Sequence, residues 1–124
     1  MKKRVLVVDD DPAIIQVYQM ALSRSFDLSV AYNGREALEA ASAQTPDLVI
    51  MDVMMPEMDG LAAMAKIKEN DATAKVPVIL VTAQVRHKDV LSGYNSGADY
   101  YITKPFTSRE LMNGINLFLG EKEA

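Results

Sequence analysis

The sequence predicts an α/β fold: a doubly wound, five-stranded parallel sheet with five helices. Two observations predict it. Val5–Val8 (VLVV), Leu48–Met51 (LVIM) and Val78–Val81 (VILV) are apolar at every position instead of alternating, the pattern of strands buried on both faces. Helical patterns lie between the strands, and repeated strand–helix alternation implies a parallel sheet joined by right-handed crossovers.

In chain order, the strands are expected at Arg4–Val8, Leu28–Ala31, Asp47–Met51, Val76–Val81 and Tyr100–Thr103. The first helix follows Asp11-Pro12, a favourable N-cap and N1 pair. Its Ile14, Tyr18, Ala21 and Leu22 recur on one face. Arg35–Ala43 is rich in helix formers, with Asn33 or Gly34 to start it and Pro46 to mark the return to strand. Asp59-Gly60 reads as a turn before a third helix near Leu61–Glu69. Lys88–Ser96 is the fourth, closed by Gly97. Ser108–Leu119 is the last, with Leu111, Ile115, Phe118 and Leu119 as its apolar stripe.

Length and composition set bounds. At 124 residues, 49% hydrophobic and 24% charged, the chain reads as one globular domain, residues 1–120, with a frayed tail at 121–124. A net charge of −4 argues against direct nucleic-acid binding. The absence of cysteine removes disulfides and thiolate chemistry and fits a cytoplasmic location. The opening MKKRVLVV is too short an apolar run for a signal peptide, and no stretch approaches the ~20 apolar residues of a membrane helix.

In such sheets the site lies beyond the carboxyl ends of the strands. The first strand runs into Asp9 and Asp10, the third into Asp52, the fourth into Thr82 and the fifth into Lys104. Several carboxylates suit a hard divalent cation such as Mg²⁺, which takes one or two of them and keeps room for a phosphate. An ammonium and a hydroxyl suit a phosphoryl oxygen, and Asp52 can act as a nucleophile that forms an aspartyl phosphate. Asp11 need not join the acids, because it can cap the helix. Met51, Met54, Met55 and Met58 read as packing residues. His87, between Arg86 and Lys88, reads as solvated.

The chain resembles a response-regulator receiver domain, the phosphoacceptor module of two-component signalling. The resemblance rests on VVDD (Val7–Asp10), LVIMDVMMPEMDG (Leu48–Gly60), VTA (Val81–Ala83) and GADYYITKPF (Gly97–Phe106). It implies a flavodoxin-like strand order of 2-1-3-4-5. It also implies that Asp52 is phosphorylated by a histidine kinase or a histidine phosphotransfer protein. Asp10, Asp52 and the backbone carbonyl of Met54 would hold Mg²⁺ or Mn²⁺, with Asp9 acting through a water. Lys104 and Thr82 would bind the phosphoryl oxygens. Thr82 and Tyr101 would switch together, and the bond before Pro105 would be cis. The implied output face comprises the fourth helix, fifth strand and last helix, roughly Lys88–Asn95, Tyr100–Thr103 and Ser108–Phe118. A downstream partner or an effector domain would dock there, and a phosphorylation-dependent dimer is a separate expectation. Met54 and Gln84 occupy positions that in this family tune the lifetime of the acyl phosphate.

A competing reading is a small phosphohydrolase of the haloacid-dehalogenase type, with Asp9 and Asp11 as its D-x-D pair. Pro12 and the lack of a late acidic pair speak against it, and it leaves Asp52 without a role.

Overall fold

The computed structural model describes residues 2–53, 60–83 and 99–120. The elements are β1 (Lys3–Val8), α1 (Pro12–Leu22), β2 (Phe26–Ala31), α2 (Gly34–Ala43), β3 (Leu48–Asp52), α3 (Gly60–Glu69), β4 (Val78–Ala83), β5 (Tyr100–Lys104) and α4 (Ser108–Leu119). All five strands are parallel, in the order β2-β1-β3-β4-β5. This is the flavodoxin-like order. The helix expected over Lys88–Ser96 and the tail 121–124 lie outside the described residues.

The unbroken apolar runs fill both faces of the sheet. Val5, Val7, Leu48, Ile50, Ile79, Val81 and Ile102 pack with Ile15, Tyr18 and Leu22 of α1 and with Leu111 and Ile115 of α4. Their neighbours Leu6, Val8, Val49, Met51, Val78 and Leu80 point the other way, onto Ala37 and Ala41 of α2 and Ala63, Met64 and Ile67 of α3. Alternation along each central strand therefore feeds two cores at once. Each fully buried aliphatic side chain contributes about 1.5–3 kcal/mol.

Strand limits differ from the sequence expectation for local reasons. β2 begins two residues early, at Phe26, which is buried and pairs with Lys3. Asp27 hides this start in the sequence, but β2 is an edge strand and Asp27 faces solvent. β4 begins two residues late because Pro77 has no N–H for the ladder; its carbonyl still accepts from Val49 N at 3.0 Å. Asp47 stays outside β3 and brackets it instead. Its N–H donates to Arg4 O at 2.8 Å, and its carboxylate accepts from Arg4 N at 2.8 Å.

The helix starts follow their caps. Asp11 accepts from Ala13 N and Asn33 from Glu36 N. Thr107 and Glu110 form a reciprocal capping box at α4.

Candidate metal and phosphoryl site

The carboxyl ends of β1, β3 and β5 converge. Asp9 follows Val5 and Val7, Asp52 follows Ile50, and Lys104 follows Ile102. All of these preceding residues belong to the α1–α4 core, so the three polar side chains leave the sheet on that same side. Ligand oxygens of Asp9, Asp10 and Asp52 lie within 4.8 Å of one another. The Lys104 ammonium stands 3.1 Å from Asp9 Oδ2 and 3.6 Å from Asp52 Oδ1.

The three consecutive aspartates have separate environments. Asp9 is buried, its side chain 1% exposed. Its Oδ1 accepts from Asp11 N at 2.9 Å and its Oδ2 from Lys104. Asp10 is exposed and faces the cluster from the rim. Asp11 turns away: its Oδ1 accepts from Ala13 N at 2.9 Å and caps α1. The N-terminus of α1 thus lies beside the acids, and its partial positive charge helps to hold them. With Asp11 committed to the cap, the D-x-D pair of the phosphohydrolase reading does not form.

The donor set fits a divalent ion. Opposite ligands on an ion with ~2.1 Å bonds are ~4.2 Å apart, close to the observed spread of the three carboxylates. Asp9 has both oxygens engaged, whereas Asp10 stands open at the rim, a division that suits an indirect contact for Asp9.

Thr82 is buried, one residue before the end of β4, between Val81, which pairs with Asp52, and Ala83, which pairs with Lys104. Alternation, however, places it with Val78 and Leu80 on the α2–α3 side, across the strand top from the acids. Tyr101, half-buried beside Leu80 in register, packs against that same core. The Lys104–Pro105 bond is cis. Met54 and Gln84 lie outside the described residues.

Two participants were not evident in the sequence. Gly60, expected only to make a turn, packs directly on the backbone of Asp52: a Cβ there would meet the Asp52 carbonyl carbon and Val53 Cα at 2.9 Å each and would overlap the Asp52 carbonyl oxygen. The Gly60 N–H also donates to Val53 O at 2.9 Å. Tyr18, read as core, is core, yet its hydroxyl lies close enough to the cleft for Asp9 and Asp52 to act on it electrostatically.

Comparison with known proteins agrees with this geometry. The family model of the response regulator receiver domain matches residues 5–116. The alkaline phosphatase synthesis transcriptional regulatory protein PhoP of Bacillus subtilis is 36% identical over 99% of this chain and 51% of its own length. The chain spans about half the length of the curated relatives it matches. A response regulator structure from Chloroflexus aurantiacus superposes with a TM-score of 0.91 at 28% identity, covering 98% of this chain and 100% of its own. The receiver domain of a sensor histidine kinase from Pseudomonas aeruginosa, with a magnesium ion coordinated in its active-site cleft, gives 0.88 at 27% identity over 98% and 100% of the two chains. Neither the fold nor these matches support the phosphohydrolase reading. The chain belongs to the response regulator receiver domain family, the phosphoacceptor switches of two-component signalling.

Proposed function

We propose that Asp52 accepts the phosphoryl group, from a phosphohistidine on a sensor histidine kinase or a histidine phosphotransfer protein. The observation that carries this reading is the convergence of Asp9, Asp10, Asp52 and Lys104 at one rim. An Asp52 carboxylate oxygen attacks phosphorus in line. The new O–P bond forms as the P–N bond breaks, and the bonding pair leaves with the donor imidazole. Asp10, Asp52 and the Met54 carbonyl would hold Mg²⁺ or Mn²⁺, with Asp9 reaching it through a water. When bound, the ion supplies positive charge that offsets the crowded carboxylates and the phosphoryl oxygens. Lys104 turns from Asp9 to a phosphoryl oxygen, and Thr82 donates its hydroxyl to another. These groups are the chain's own contribution to forming and losing its acyl phosphate, so it promotes both without being an enzyme for a separate substrate.

Thr82 reaches the phosphoryl group by turning across the top of β4, and Tyr101 follows into the space on its side. Phosphorylation biases an existing equilibrium by its differential interaction with the two states. The face that changes is β5 with α4 and the segment 88–95, and it meets a partner, an effector domain or a second phosphorylated copy. The domain is taken as residues 1–120 and its setting as cytoplasmic. No helix among the described residues is long and apolar enough to cross a membrane, and a net charge of −4 disfavours nucleic acid as this domain's own ligand.

Incubation with acetyl phosphate and Mg²⁺ tests the proposal. One hydroxylamine-labile phosphate per chain is expected, and none on Asp52→Asn. Labelling that persists in Asp52→Asn, or sustained phosphate release from a simple phosphoester, would overturn it.

A further inference from the structure

Tyr18 carries the one buried side-chain polar atom without a hydrogen-bond partner among the described residues. The residue is 0% exposed, so its hydroxyl is orphaned inside the protein. Phenylalanine would fill the same volume without leaving a donor unmatched. The position of the hydroxyl suggests why a tyrosine stands there.

A helical side chain leans toward the N-terminus of its helix, and α1 begins at the acid cleft, where Asp11 caps it. Tyr18 therefore leans toward the cleft from below. It belongs to the core layer of Val7, Ile50 and Ile102, which stand two residues before Asp9, Asp52 and Lys104 on the same side of the sheet. Its ring stacks on Phe106, with centroids 5.7 Å apart and planes inclined by 16°, and Phe106 is the second residue after Lys104. Burial raises the phenol's pKa well above its ordinary value, and the charges of Asp9 and then Asp52 raise it further. The group is thus a neutral O–H donor within electrostatic reach of two carboxylates.

Asp9 is the carboxylate whose partners must change. One oxygen is held by Asp11 N and the other by Lys104. A buried carboxylate that loses its cation must find another donor or become strongly destabilising. We infer that Tyr18 is a positioning residue of the cleft, its hydroxyl being the donor that takes over Asp9 when Lys104 leaves it. Lys104's departure on phosphorylation belongs to the function proposed above, but mutation imposes the same departure without any phosphate.

The test is a double-mutant cycle in Mg²⁺-free buffer. In the otherwise native chain, Tyr18→Phe should leave Tm unchanged or raise it, because an orphaned hydroxyl is removed. In Lys104→Met, where Asp9 lacks its cation, the same substitution should lower Tm by about 3–5 °C. Lys104→Gln repeats the comparison with a polar replacement. An equal effect of Tyr18→Phe with and without Lys104 overturns the inference. A second readout uses acetyl phosphate at saturating Mg²⁺. There Tyr18→Phe should slow acyl-phosphate formation about 5-fold while Mg²⁺ affinity stays within about 2-fold; an unchanged rate counts against the inference. Failure of the native chain to form any acyl phosphate would remove the Asp52 reading alone, and the Tm cycle would still decide the role of Tyr18.

Discussion

Two lysine–aspartate contacts stand at opposite ends of the sheet, and they are built differently. At the amino-terminal end, Lys68 of α3 meets Asp99 at 2.9 Å. Lys68 also donates to Val76 O at 2.8 Å, and the same Asp99 oxygen accepts from Val78 N at 2.8 Å. Each charged group there has one ionic and one backbone partner, and the local charge is balanced. At the carboxyl end, among the described residues, one ammonium, Lys104, serves Asp9 and Asp52 while Asp10 stands beside them. Among the described residues, three carboxylates thus stand against one ammonium. The first contact staples α3 to the β4–β5 end of the sheet. The second is electrostatically unfinished, and that excess suits it to a divalent cation and a phosphoryl group. Pairing alone does not mark a site; the imbalance around the pair does.

The largest expected effect separates the two lysines. Lys104→Ala should slow phosphorylation by acetyl phosphate on the order of 10²-fold, whereas Lys68→Ala should leave that rate within about 2-fold. The reciprocal holds for stability. Asp99→Ala leaves Val78 N and the Lys68 ammonium short of an acceptor and should cost about 1–3 kcal/mol by urea unfolding. A slow Lys68 variant, or an unaffected Lys104 variant, would erase the distinction.

Next in size is the response to Mg²⁺. At a concentration about 100 times the dissociation constant, the ion should stabilise the native chain by about 2.7 kcal/mol, read as a rise in Tm. Asp10→Asn should abolish most of that rise, while Asp99→Asn should leave it intact. Equal loss in both variants would mean that the charge excess at the carboxyl end is not what binds the ion.

The smallest effect lies at alkaline pH. The folded state raises the pKa of Tyr18, so its phenol stays protonated while the unfolded chain's phenol ionises above about pH 10. The contribution is fully present below that pH and is lost as pH rises beyond it, at up to about 1.4 kcal/mol per pH unit. Tyr18→Phe should unfold along a shallower pH profile in that range. Identical profiles would mean that burial and the nearby acids do not raise the phenol's pKa in the folded chain.

Much of this was legible in short segments. The continuous apolar runs announced strands covered on both faces, and Asp11-Pro12 announced the start of α1, because burial on two faces and helix capping are properties of adjacent residues. Asp9, Asp10, Asp52 and Lys104 were recognisable as strand-end residues for the same reason. The Thr107–Glu110 capping box is equally local, a Thr-x-x-Glu spacing. The strand order came only with the family resemblance, since nothing in an isolated run of valines says which run it will lie beside.

Other features depend on residues far apart in the chain. Gly60 looked like turn punctuation, but its need for a bare Cα comes from the Asp52 backbone pressed against it. Tyr18 sits at an ordinary apolar position of a helix, and only the strands above it make its hydroxyl notable. Lys68 and Asp99 show no sequence signal of their partnership across 31 residues.

Among the described residues, the sequence by itself determined which segments are strands, which are helices, and that β1, β3 and β5 run into an acid or an amine, because these follow from periodicity, caps and local chemistry. Only the tertiary structure decided which carboxylate is buried, which caps a helix and which faces the rim. It also decided which lysine has its charge matched and which is left among surplus acids. Those outcomes depend on desolvation and on distances of a few ångströms between strands, and no local pattern encodes either.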